Sequence, residues 1–420
     1  MLEETHIALS HGVENIAEAT FFADEGYCQV DILHRNENGK YDIVEVKSNS
    51  RIKDYHIHDV AFQYKIISQK LEIENVYILH VNHDYRRKKG RLSKKFFLLD
   101  NVTEKAQELA KTINLGEISE QLNEEYPPNC KIGVQCEYDW DCGYKKHCIS
   151  KLNQWEKEVV AIEGLTWNQK MKSIDAGKIV YPKNKEVLKL EDDEIICRKK
   201  KIKEFLDKIQ YPLYLLDYES IQHIIPKHLG QKPWSQTPFQ YSLHIIKEWG
   251  AEIEHRECLV ISDDVDPRKV IVEQLIQDIP ANGQVMAYNM AFEKGINKEL
   301  SEAFPKYAHH LNQINLNFID LMEPFKNKDY YQGSMKGSYS IKVVLPTCYP
   351  DDPALNYHQL TDVQNGQQAQ EGYAKLMKLR GSEKEALIEN MLKYCKLDTF
   401  AMVKILAFLY QVVYGGDLMY

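Results

Sequence analysis

Apolar and polar residues alternate through much of the first eighty residues. GYCQVDILHR (26–35) and YDIVEVKS (41–48) carry apolar side chains at every second position for much of their length, as strands with one buried face do. The turn-forming NENGK joins them. In KDYHIHDVAFQYKIISQKLE the period lengthens, and Val60, Tyr64 and Ile67 recur at helical spacing. NVYILHV is an unbroken apolar run of the kind a buried strand carries. Strand, strand, helix, strand predicts a small α/β core, preceded by a short helical part in LSHGVENIAE.

Residues 101–126 have a polar helical pattern, and Pro127 and Pro128 break it. Residues 150–207, with Trp155 and Trp167, show scattered helical periodicity and predict a helical connector. A second α/β pattern opens at Tyr211. YPLYLLDYES is a buried strand ending in acids, FQYSLHIIKEW and EIEHRECLVI are two further strands, and PRKVIVEQLIQDI is an amphipathic helix. GQVMAYN is a strand running into the helix MAFEKGINKELSEAF, and the long helix EKEALIENMLKYCKLDTFAMVKILAFLYQVV closes the pattern. VQNGQQAQEG is expected to be a polar loop. The expected fold class is multidomain α/β, divided at 1–125, 126–150, 151–208 and 209–420.

The length of 420 residues suits two or three domains at ~150 residues each. Hydrophobic residues at 44% and charged residues at 27% are ordinary for a globular chain. No apolar run approaches the ~20 residues of a bilayer span, and MLEETHIALSHGVENIAEATFF lacks the basic-then-apolar order of a secretory signal. A cytoplasmic protein without membrane engagement is expected. The net charge of −9 excludes a protein that coats nucleic acid non-specifically. It is compatible with carboxylate-rich metal sites and a local basic channel. RRKKGRLSKK (86–95) and CRKKKIKEF (197–205) are the dense positive runs, each either a solvated face or a phosphate track.

Asp217 and Glu219 stand two apart at a strand end and so share a face. Glu293 opens the helix after a strand, in YNMAFE, and Asp398 lies one turn beyond Tyr394 in YCKLD. Carboxylates converging from separate elements are what a pair of hard Mg²⁺ or Mn²⁺ ions requires. The ordered set D-x-E, N-x-x-x-E and Y-x-x-x-D resembles the DEDD exonuclease superfamily of RNase H-like fold, in its tyrosine subclass. Asn289 with Glu293 departs from that family's usual Asn and Asp. The resemblance implies two-metal hydrolysis with Asp217, Glu219, Glu293 and Asp398 as ligands, Tyr394 orienting the water, and Asn289 near the nucleic acid. Asp320, in FIDLMEPF, is either a structural carboxylate or a further ligand. Tyr218, Tyr288 and Phe292 are candidates to stack on a base.

In the N-terminal core, Glu45 and Lys47 alternate onto one face, and a hairpin brings Asp31 beside them. This D…E-x-K arrangement, followed by Gln63 and Tyr64 on a helix, resembles the RecB-like PD-(D/E)XK nucleases. The resemblance implies a restriction-endonuclease-like core, with Asp31 and Glu45 holding Mg²⁺ and Lys47 polarising the water. Gln63 would line the site and Tyr64 would meet the nucleic acid. It also implies an earlier helix with a His or Glu, for which Glu18 is either a substitute or a surface residue.

Nine cysteines include four within 19 residues, Cys130, Cys136, Cys142 and Cys148, repeating as C-x5-C-x5-C-x5-C. Without an export signal such a set predicts metal ligation. The wide spacing favours a [4Fe–4S] cluster, with Zn²⁺ the alternative. Cys28 is a possible fourth ligand in place of Cys130. Cys197, Cys258, Cys348 and Cys395 are expected to be small buried apolar residues. The whole order resembles a RecB-like, iron–sulphur-bearing family that ends in a DnaQ-like domain. That resemblance implies a 3′–5′ exonuclease on single-stranded DNA or RNA ends, in repair or a related process. The alternative is a nucleic-acid processing scaffold whose N-terminal site grips without cutting.

Overall fold

The computed structural model describes residues 1–420 except Glu25, 127–129, 138–141, 163–164, 181–190, 263, 351, 353–354, 356–362, 364 and 417–420. The predicted break at Pro127 and Pro128 and the middle of the connector lie outside the described residues. The fold is mixed α/β in two compact units. One is Met1–Cys130 with Gln222–Ser235, and the other is Lys131–Ile221 with Gln236–Tyr420.

The first unit starts with a helix, Leu2–Ser10, and continues through β1 (Asn15–Ala23), β2 (Gly26–Arg35) and β3 (Tyr41–Lys47). The helix Asp54–Ile67 then crosses to β4 (Ile73–Val81), and β5 (Phe97–Asn101) completes the sheet. The order is β1-β2-β3-β4-β5, with β3–β4 parallel and the other pairs antiparallel. A parallel pair needs a crossover, and the helix supplies it. Its Val60, Ile66 and Ile67 pack with Val30, Leu33, Ile43, Val76 and Ile78 of the sheet. The helix expected in LSHGVENIAE ends at Ser10, and β1 begins at Asn15. Gly12 at φ 66 turns the chain there, a left-handed conformation that glycine adopts at no steric cost.

In the second unit, β6 (Ile195–Cys197) precedes β7 (Leu213–Gln222), β8 (Gln236–Ile246), β9 (Glu254–Leu259), β10 (Gln284–Ala287), β11 (Phe318–Asp320) and β12 (Tyr330–Gln332). The main sheet runs β11-β10-β7-β8-β9. It is parallel at β7–β10 and β10–β11 and antiparallel at β8–β9, while β6 and β12 form a separate ribbon. Alternation along β7 divides two cores. Leu213 and Leu215 face the one built on the long helix Gly381–Tyr414, and Tyr214, Leu216 and Tyr218 face the other. The connector's last helix, Lys199–Leu206, places Ile202, Phe205 and Leu206 in the first of these cores, so it belongs to this unit.

The expected loop VQNGQQAQEG is mostly helix, Gly366–Leu376, capped by Asn365. Its Ala369, Gly372, Tyr373 and Leu376 are buried at helical spacing. The long helix is long and apolar enough to cross a membrane by length and composition, contrary to the expectation that no stretch would be. Met391, Ala401, Met402, Val403, Ile405, Leu406 and Leu409 pack it into the core of its own unit.

Candidate metal centre

Side chains 213, 215, 217 and 219 of β7 share one face. The first two are leucines in the core, and Asp217 and Glu219 continue the row toward the long helix. Buried polar contacts to β8 anchor that helix. Gln240 Nε2 donates to the Met391 carbonyl at 2.9 Å. Thr399 Oγ1 lies 2.7 Å from Ser242 Oγ and 2.8 Å from His244 Nδ1. Burial pulls His244 down to about 3 and His255 to about 4, so both imidazoles are neutral at ordinary pH. Asp398, beside Thr399, is thereby fixed opposite β7. Carboxylate oxygens of Asp217, Glu219 and Asp398 lie within 4.8 Å of one another.

Glu293 stands in the first turn of the helix Ala291–Ala303, outside that group of three. It is 3% exposed, and its Oε2 has no hydrogen-bond partner. Burial, with Asp320 adding to it, pushes Glu293 up to about 8. Burial is also the main force raising Asp217 and Glu219, followed for both by the Asp398 charge; Glu293 adds to each. Lys342 is the cation that opposes this at Glu219. Asp217 and Glu219, made costly by burial and by the neighbouring Asp398 and Glu293 charges, are with Asp398 the kind of oxygen donors a divalent ion takes. Tyr394 is buried one turn before Asp398, with Lys342 Nζ 5.4 Å from its ring centre.

Asp320 braces the backbone with one of its two carboxylate oxygens. Its Oδ1 accepts from the backbone N–H groups of Asn289 at 2.9 Å and Met322 at 3.0 Å. These bonds hold the corner after β10, where Asn289 takes φ 71 and is exposed. Among the expected stacking residues, Tyr218 is corrected. It is buried on the opposite face of β7 and donates to Asn297 Oδ1 at 2.8 Å. Tyr288 donates to the Tyr339 carbonyl at 2.7 Å, and Phe292 remains 38% exposed.

In the first unit, Glu45 is buried and accepts from Lys47 Nζ at 2.7 Å and from Gln63 Nε2 at 2.8 Å. Asp31 Oδ2 accepts from the Val46 N–H at 2.6 Å, and its charge reaches Glu45. The expected quartet of Asp31, Glu45, Lys47 and Gln63 is therefore together. Asp59, which sequence reasoning missed, also binds Lys47. Its signal was the four-residue step to Gln63, which puts both on one helical face. Burial pulls Lys47 down, but its bonds to Asp59 and Glu45 outweigh that and hold the ammonium above the ordinary lysine value. Lys47 thus acts as a fixed cation. Tyr64 packs on the core and accepts from Gln107 Nε2 at 3.3 Å. Glu18 is exposed at φ 55 in β1, and the helix Leu2–Ser10 precedes it.

Cys136 is buried against Trp167 and Met171, and its carbonyl accepts from the Cys142 N–H at 3.0 Å. Cys142 and Cys130 are exposed, and Cys148 is half-buried. The thiols of Cys136, Cys142 and Cys148 do not form a three-ligand group of the kind the carboxylates make. Cys28 is a core thiol of the first unit, pushed up to about 12 by burial. Cys197 is exposed on β6, contrary to expectation, because the short ribbon leaves that face uncovered.

Residues 214–340 match the model of a domain family of unknown function, DUF2779. That span holds Asp217, Glu219, Asn289, Glu293 and Asp320 and stops short of Tyr394 and Asp398. An uncharacterised protein of Ureaplasma parvum is 28% identical over 228 residues, covering 49% of this chain and 32% of the relative. The chain thus spans about a third of the length of that relative. No solved structure matches.

Proposed function

We propose that the chain is a metal-dependent nuclease, a 3′–5′ exonuclease on single-stranded ends centred on Asp217, Glu219 and Asp398. One observation carries this reading: three carboxylates from a strand and a helix distant in sequence approach within 4.8 Å. Glu293 nearby, buried and with its Oε2 without a hydrogen-bond partner, supports it. The strand order β9-β8-β7-β10-β11, with the acids on its central strand, supports the RNase H-like resemblance. Bound Mg²⁺ or Mn²⁺ would activate water and stabilise the leaving 3′-oxygen. The chain's own part is to hold that charge between β7 and the long helix. Tyr394 would orient the water, and the exposed Phe292 ring would offer a face to the terminal base.

The first unit supports a second, RecB-like PD-(D/E)XK site in Asp31, Glu45, Lys47 and Gln63. Because Lys47 stays protonated, it would offset charge on the phosphate and not serve as a base. The oxygens of Glu45 are already engaged by Lys47 and Gln63, which favours a gripping role over cutting. Lys47→Ala is therefore expected to leave release of 3′ mononucleotides unchanged and to weaken substrate retention. Internal cuts that survive Asp217→Asn and vanish in Lys47→Ala would reverse that assignment.

The four-thiolate site rests on spacing. Anaerobically purified protein should be brown, with roughly four iron and four sulphide per chain for a [4Fe–4S] cluster. Colourless protein holding one zinc would replace the cluster with the alternative metal.

A further inference from the structure

The basic run 86–95 finds a use when its neighbours are considered. It holds seven Lys and Arg and no acid, and the segment 222–235 adds Lys227 and Lys232, also without an acid. Both stretches belong to the first unit. Two backbone bonds join them: the Arg87 N–H donates to the Gln231 carbonyl at 3.0 Å, and the Gly230 N–H donates to the Arg87 carbonyl at 2.9 Å.

Internal bonds shape the 222–235 segment. The Trp234 N–H donates to the His223 carbonyl at 2.9 Å, and buried Gln231 accepts from the N–H groups of Lys227 and His228. Trp234, at φ 59 and 36% exposed, donates its indole N–H to the Ser48 carbonyl at 3.0 Å. That pins the ring to the backbone one residue after Lys47 of the candidate N-terminal site. Among the described residues no ion pair neutralises Lys88, Lys89, Arg91, Lys94, Lys95, Lys227 or Lys232. The other basic run differs: Lys201 pairs with Glu204, Lys203 with Asp207 and Arg198 with Asp329.

We infer that residues 86–95 and 222–235 together form a nucleic-acid-binding surface that leads a single strand past Trp234 to the Lys47 site. Unneutralised Lys and Arg suit a phosphate backbone, and an anchored indole suits base stacking in a sequence-tolerant way. The direction toward Lys47 rests on the nuclease reading; the binding surface does not.

Affinity of the full chain for fluorescein-labelled oligo(dT) and oligo(U) would be measured by anisotropy in EDTA over a range of salt. The triple variant Lys88→Ala, Lys89→Ala, Arg91→Ala should bind about tenfold or more weakly. Its slope of log K against log salt should flatten by about 2, since each single-strand phosphate contact contributes ~0.7. Lys227→Ala with Lys232→Ala should flatten it by about 1.4. Trp234→Ala should weaken binding and leave the slope unchanged. Lys201→Ala with Lys203→Ala is the charge-matched control, and thermal melts confirm that each variant folds. Equal loss in the control, no binding by the parent chain, or preference for phosphatidylserine vesicles over oligonucleotide would overturn the inference. Binding in EDTA without degradation in Mn²⁺ would keep this surface and remove the nuclease reading.

Discussion

Asp217→Asn is expected to stabilise the metal-free protein while abolishing its metal-dependent hydrolysis. The asparagine preserves the side chain's shape on β7 and removes one charge from a group of three carboxylates within 4.8 Å. Burial, and then Asp398, Glu219 and Glu293, make the Asp217 charge costly in the folded state. Neutralising it relieves that repulsion, and a gain of about 1 kcal/mol raises a melting temperature by ~2–4 °C in domains of 150–250 residues. The same change removes a ligand at the reacting centre. Loss of a single preorganised electrostatic group typically costs roughly 10²–10³ in rate, and a metal ligand should cost at least that. A purely structural aspartate would show the opposite pattern, with the variant melting lower. Melts with and without Mn²⁺, run beside an end-labelled digestion, separate the two.

The metal-free protein should lose stability as pH rises through the range in which its buried acids ionise. Glu293 titrates near 4.3 in an unfolded chain and at about 8 in the fold. Between those values the folded state holds a proton that the unfolded state has released. Unfolding free energy therefore falls with rising pH across that range. Asp217 and Glu219 shift in the same direction. Mn²⁺ or Mg²⁺ should flatten the decline, because the ions offset the charge that protons otherwise remove. Glu293→Gln should flatten it without metal. Denaturant titrations at a series of pH values measure this, and a stability that rises from pH 5 to 8 in EDTA would contradict it.

Much of the second unit was legible because its strands are long and two-sided. YPLYLLDYES alternates between two cores and announces its acids at the end. In the first unit, GYCQVDILHR corresponds to β2 residue for residue. The failures have physical causes. The polarity of VQNGQQAQEG suggests a loop, but Gln, Ala and Glu favour helices and its buried positions keep helical spacing. β5 shows no burial pattern because all five of its side chains are exposed. β1 is interrupted by Glu18 at positive φ, which breaks alternation midway. At the candidate sites, the carboxylates were found through short motifs. Asp59 and Lys342 lie outside any motif and reach Lys47 and Glu219 only once the chain folds. The second basic run carries Glu204 and is followed by Asp207, so its helical pairs with Lys201 and Lys203 follow from local spacing, whereas the Arg198–Asp329 pair needs the fold.

The central claim is that the acids on β7 and the long helix cut nucleic acid from its 3′ end. Single-stranded oligonucleotides labelled separately at the 5′ and 3′ ends, incubated with the full chain in Mn²⁺ and in EDTA, test it most directly. The account predicts that Mn²⁺ releases the 3′ label at once as a mononucleotide and shortens the 5′-labelled strand stepwise. EDTA and Asp217→Asn should each stop both. No degradation in Mn²⁺, release of the 5′ label first, or full activity in Asp217→Asn would contradict the claim.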